Sequence, residues 1–85
     1  MSIQRFKIGP RMSQAVVHNE TIYLAGQVAE DTTADVKGQT SQILNQIDEL
    51  LALVGSDKSK LLSATVYLSD MAHFGAMNAS WEAWI

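Results

Sequence analysis

The stretch from Val36 to Val54 constrains the fold more than any other part of the chain. Its apolar residues Val36, Ile43, Leu44, Ile47, Leu50, Leu51 and Val54 recur at spacings of three, four and seven, which places them in one stripe of a long helix. Gly55 follows where a left-handed residue closes such a helix, and Thr33 or Asp35 precedes it as a capping side chain. The other face carries Gln39, Gln42, Gln46 and Glu49. That face is polar but poor in charge, so it reads either as solvated surface or as contact with a second protomer. A helix with one apolar stripe needs a sheet or another helix against it, and the flanking segments supply candidates for both.

On the N-terminal side, residues 3–8 alternate in part, with Phe6 and Ile8 on one side of a short strand. Gly9-Pro10-Arg11 breaks that pattern. Gln14–Val17 and Thr21–Ala25 then read as two strands joined at His18-Asn19-Glu20-Thr21, which gives a hairpin region over residues 3–25. On the C-terminal side, LLSATVYL (61–68) alternates as a strand. The helical crossover before it predicts parallel pairing with the hairpin's second strand, and hence a mixed sheet. Ser69 or Asp70 caps a second helix over 70–85, in which Phe74, Met77, Trp81, Trp84 and Ile85 recur at helical spacing. The fold class is α+β, a single domain over residues 1–85. Its last stripe runs to Trp84-Ile85 without a glycine, a proline or a polar turn. That pattern predicts further C-terminal elements.

Composition narrows the function. The chain has 85 residues and no cysteine, which excludes disulfides, thiolate metal sites and a cysteine nucleophile. Two histidines give little basis for a metal site. The net charge is −3 and the six basic residues are scattered, so nucleic acid is not an expected partner. No apolar run reaches the roughly 20 residues of a membrane span, and the N-terminus lacks a signal peptide's pattern. The expected compartment is the cytoplasm. At this length, and without staples, association is the expected source of additional stability.

Few residues stand out chemically. His18 in the hairpin turn and His73 at the start of the second helix read as polar surface, and Asp70 reads as a cap. Arg11 is an anion-ligand candidate whose simpler reading is a surface arginine. Ala25-Gly26 at a strand end, followed by Gln27, leaves room for a ligand to approach the backbone, although a strand also ends at glycine without any ligand. Gly26 lacks the companion glycines and lysine of a phosphate loop. Asn78 lies beside the Met77–Trp81 stripe as a candidate brace for an interface or pocket rim. Trp81 and Trp84 read as core or oligomer contacts.

The segments RMSQAVVHNETIYLAGQV and QTSQILNQIDELLALVGSDKSKLLSATVYLSDMAHFGAMNASWEAWI, in that order, resemble the YjgF-like, or reactive intermediate deaminase, family, and in particular its YoaB-like branch. The resemblance implies a chorismate-mutase-like fold and a homotrimer with sites in the clefts between protomers. It implies hydrolysis of small enamines and imines such as 2-aminoacrylate to 2-oxo acids and ammonia, with no metal and no bound cofactor. It further implies a substrate-clamping arginine in a proline-alanine-arginine strand and an acidic residue on a last strand, both beyond Ile85, so no catalytic residue is assigned within the chain. Carried over by position, the ligand-binding set is Met12, Ala25, Gly26, Gln27 and Asn78. Ala25 stands where the deaminase-active branch has serine, and Met12 where it has tyrosine. Those two departures leave open a non-enzymatic carboxylate-binding or regulatory trimer. The ribonuclease activity sometimes attributed to the family fits poorly with this charge.

Overall fold

The computed structural model describes residues 2–85. Three strands, β1 (Gln4–Ile8), β2 (Ser13–His18) and β3 (Thr21–Leu24), form an antiparallel meander in the order β1-β2-β3. Phe6 lies opposite Ala15, and Ile8 opposite Ser13, across the Gly9–Met12 loop, which Gly9 N closes by donating to Met12 O at 2.7 Å. His18 pairs with Thr21, so only Asn19 and Glu20 remain in the second turn, with φ of 51° and 66°. Two successive positive φ angles mark the type I′ turn whose twist matches that of its strands. A bond from Ala25 N to Gln14 O (3.0 Å) continues the ladder past β3.

Helix α1 (Val36–Leu53) forms where the stripe places it. Asp35 is the cap, its Oδ1 accepting from Gly38 N at 2.7 Å. At the other end Gly55 (φ 79°) donates to Ala52 O, and Ser56 N donates to Leu51 O at 2.8 Å. This is the paired closure of a Schellman motif. The glutamines of the polar face serve the chain's own loop: Gln39 Nε2 donates to Thr32 O and Ala34 O, and Gln42 Oε1 accepts from Asp31 N. That pairing accounts for an uncharged face without a second protomer.

A 3-10 turn, Met71–His73, is capped by Asp70 and leads into α2 (Phe74–Trp84), so the expected second helix is α-helical only from Phe74. The end of α2 is fastened to α1 and to the turn that follows it. Trp84 Nε1 donates to Asp48 Oδ2 at 2.9 Å, and Lys58 Nζ lies 5.0 Å from the Trp84 ring centroid while donating to Trp84 O. Trp81 stacks on Trp84 at 5.5 Å with tilted rings. Ala15 of the central strand, Ala29, Leu44, Leu50, Leu51 and Met77 form the buried apolar core.

One expected element differs. Residues 61–68 join no sheet among the described residues, so the sheet is antiparallel rather than mixed. The reason is that a strand is a property of a pair. Alternation prepares a segment to be one, but the ladder needs a neighbour's N–H and C=O groups. Here Leu62 is 86% exposed and Tyr67 91% exposed, and β3 is an edge strand.

Candidate functional site

The strand end predicted from Ala25-Gly26-Gln27 opens onto a cleft of about 330 Å³ between the meander and α1. Gly26 and Gln27 line it from the chain leaving β3, and Lys7 and Gln14 from β1 and β2. Gln46 and Glu49 face it from α1, with Glu30 at the connecting loop and Val28 and Leu50 as the apolar part of the wall. The buried Leu50 of the α1 stripe forms part of the wall, which brings the polar Gln46 and Glu49 beside it to the end of the sheet.

Two local features shape the cleft. Gln27 Nε2 donates to Gln14 Oε1 at 3.0 Å and to Ala25 O at 3.1 Å. Both amide protons are thereby used, and the oxygen of Gln27 is the group left to offer a ligand. A Cβ built on Gly26 would meet nothing within 4 Å. The space above this residue is open, which is the condition for close approach to its backbone.

Lys7 is the third feature. Its φ is 49°, in the left-handed region, within β1 and two residues before the Gly9–Met12 loop. For a residue with a Cβ this costs roughly 1–2 kcal/mol, and such strain concentrates at functional sites.

The cleft gathers part of the predicted set. Gly26 and Gln27 line it, and Ala25 adjoins it through its carbonyl and amide. Met12 lies in the β1–β2 loop, exposed, and Asn78 lies on α2, half-buried, with its Nδ2 donating to Glu82 Oε1 at 3.0 Å one turn along. Neither lines the cleft. Among the residues that do, Lys7, Gln14 and Glu30 were missed. Gln46 and Glu49 were visible only as members of a polar helix face.

Away from the cleft, two exposed aspartates have pKa values below the ordinary 3.8. The Thr33 hydroxyl and N–H hold Asp31 down, and Ser59 does the same for Asp57. Both are turn devices rather than catalytic acids.

A second, larger hollow of about 560 Å³ lies between α1 and α2, bordered by Leu44, Trp84 and the small residues Ala76, Ala79, Ser80 and Ala83. Small side chains on α2 leave this gap at the helix contact. Lys37, Ser41 and Asn45 of α1 also border it, but its surface is mainly apolar, whereas that of the strand-end cleft is about evenly polar. The smaller cleft is the better candidate.

Comparison with known proteins bears on the same region. The family model described as Endoribonuclease L-PSP matches residues 3–85. The chain is 45% identical over 85 residues to the RutC family protein YoaB of Escherichia coli, covering 100% of the chain and 74% of that protein. This chain belongs to the L-PSP, or YjgF, family. The crystal structure of NMB1025 from Neisseria meningitidis, a member of the YjgF protein family, superposes with a TM-score of 0.95 at 44% identity, covering all of this chain and 71% of that one. The small antiparallel sheet with two helices is therefore the YjgF architecture over the shared length, and YoaB stands among the similar relatives as the sequence resemblance implied. A mouse protein named 2-iminobutanoate/2-iminopropanoate deaminase is 35% identical over 83 residues, covering 91% of this chain and 61% of its own length.

Proposed function

We propose that this YjgF-family chain takes part in the hydrolytic deamination of small 2-imino acids, with the cleft at Gly26-Gln27 as the place where the substrate lies. The observation that carries this reading is the open space above Gly26 at a strand end, in a chain 35% identical to a protein named for that reaction. Water adds to the imine carbon, the C–N bond of the resulting carbinolamine breaks, and a 2-oxo acid and ammonium leave. In this reading Gly26 admits the substrate to the backbone, and the Gln14–Gln27 pair holds one acceptor in place. The clamping arginine and the acidic residue implied by the family have no counterpart in these 85 residues.

Further parts of the proposal are a chorismate-mutase-like domain and a homotrimer in which Met12 and Asn78 meet the substrate across a protomer boundary. Exposed Tyr23 on β3 and the unpaired 61–68 segment support association, because apolar surface of this extent favours a covering partner. The test of the function is a coupled assay that follows decay of 2-aminoacrylate and 2-iminobutanoate. Acceleration by the purified protein supports it, and decay at the uncatalysed rate for both refutes it.

The second reading is a trimer that binds small carboxylates without turning them over. Ala25 favours it, since a methyl group supplies no hydroxyl at the strand end. Saturable binding of 2-oxobutanoate without turnover is the outcome that selects it.

A further inference from the structure

Both main-chain groups of Ala25 are engaged. Its N–H donates to Gln14 O at 3.0 Å, and its carbonyl accepts from Gln27 Nε2 at 3.1 Å. A carbonyl oxygen can only accept, so the end of the Gln27 amide beside it is the nitrogen. The same nitrogen lies 3.0 Å from the Gln14 side chain, whose facing atom is therefore the acceptor Oε1. Gln14 thus holds the strand end twice, by its main-chain oxygen and by its side chain. The two grips fall on either side of Gly26, and the Gln27 side chain spans that glycine to reach Ala25.

We propose that Gln14 is a positioning residue of this site. From β2 it fixes the backbone of Gly26 and leaves the oxygen of Gln27 as the group offered to a ligand. Gly26 needs such a restraint. It is exposed, it lies past the last residue of β3, and as a glycine it has the most backbone freedom in this stretch. A ladder bond from Ala25 N alone would extend the hairpin by one residue. The side-chain bonds reach further, to Gln27, where main-chain pairing has stopped.

This inference rests on the deaminase reading for its reaction and concerns how the site is held ready for it. Gln14 acts through Ala25 and Gln27, so its contribution is alignment settled before the substrate arrives. Both glutamines are half-buried and line the cleft, where a bond between two neutral amides is less exposed to competition from water than on an open surface.

The test is a double-mutant cycle of Gln14→Met and Gln27→Met, which keep the length of each side chain and remove its amide. In the imine-decay assay Gln14→Met is expected to lose about tenfold in kcat/KM, the worth of one hydrogen bond. The loss is expected in kcat with KM little changed, because alignment rather than uniform binding is removed. The double variant is expected to lose no more than Gln27→Met alone, since Gln14 acts through Gln27. Gln14→Glu keeps an acceptor opposite Gln27 Nε2, so its Gln27 amide protons are expected to stay protected from exchange in NMR, whereas Gln14→Met loses that protection. Additive losses, a loss confined to KM, unchanged kcat in Gln14→Met, or lost protection in Gln14→Glu would each overturn the proposal. The same cycle read in affinity for 2-oxobutanoate needs no turnover. An inactive wild type whose affinity shows the coupling refutes the deaminase reading alone, and one that neither reacts nor binds overturns both.

Discussion

Replacing Gly26 by alanine separates a ligand site from an ordinary strand end. The backbone of Gly26 lies outside the left-handed region, and a Cβ built there meets nothing within 4 Å, so the folded chain accepts the methyl group without strain. Alanine also narrows the unfolded ensemble. The expected change in stability is therefore a gain of about 0.4–1 kcal/mol, seen as a melting temperature a few degrees higher. The same methyl group stands in the open space of the cleft. If substrate approaches the strand end there, a misplaced methyl costs about 1–3 kcal/mol of transition-state binding, or roughly 10–200-fold in kcat/KM. Thermal denaturation by circular dichroism and the imine-decay assay, run on the same preparation, give the two numbers. Opposite signs are the expected result. A variant that melts higher and keeps full activity refutes the placement of the substrate at Gly26. One that loses stability refutes the packing argument from which the prediction starts.

Glu20 occupies the second central position of the type I′ turn at φ 66°, so Glu20→Gly is expected to stabilise the meander by on the order of 0.5–1 kcal/mol, measured as a shift in urea midpoint at constant slope. Trp84→Phe keeps a six-membered aromatic ring but removes the pyrrole ring with its Nε1 bond to Asp48, and a loss of at least about 1–2 kcal/mol is expected in the same experiment. Asp31 and Asp57 titrate below 3.8 because Thr33 and Ser59 donate to their ionised forms. The stability they contribute is therefore present above pH 3.8 and lost as pH falls through their lowered values. Carboxyl-carbon NMR is expected to place both midpoints below 3.8, and Thr33→Ala to return Asp31 toward it.

Local signals in the sequence were sufficient wherever the structure is local. Asp35, the Val36–Val54 stripe and Gly55 specify α1 completely, because cap, periodicity and closure act within a few residues of one another. The turn at Asn19-Glu20 was legible for the same reason. The candidate cleft was legible only on its own strand. Ala25-Gly26 stood out as a small pair at a strand end, with Gln27 following it, whereas Lys7 and Gln14 carry no local mark. They belong to the cleft because β1 and β2 lie beside β3, and β1 reads as an unremarkable polar strand whose one left-handed residue is a lysine rather than a glycine.

The segment 61–68 shows the opposite limit, and it bears on the site. Its alternation predicts a strand, yet the segment forms none among the described residues, because pairing depends on a neighbour that no property of LLSATVYL specifies. The unpaired edge of β3 continues directly into Ala25, Gly26 and Gln27. Whatever pairs with that edge will therefore also approach the mouth of the cleft. Occupancy of the edge and affinity at the cleft should then be coupled, and the sign of the coupling is set by what the incoming strand adds. A cation opposite Glu30 and Glu49 would strengthen the hold on an anionic ligand, whereas a further carboxylate would weaken it. Affinity for 2-oxobutanoate thus reads out the charge that closes the site, and it should change with protein concentration if a second copy supplies that charge. An affinity that stays constant while sedimentation shows the protein associating would place the covering strand away from the cleft.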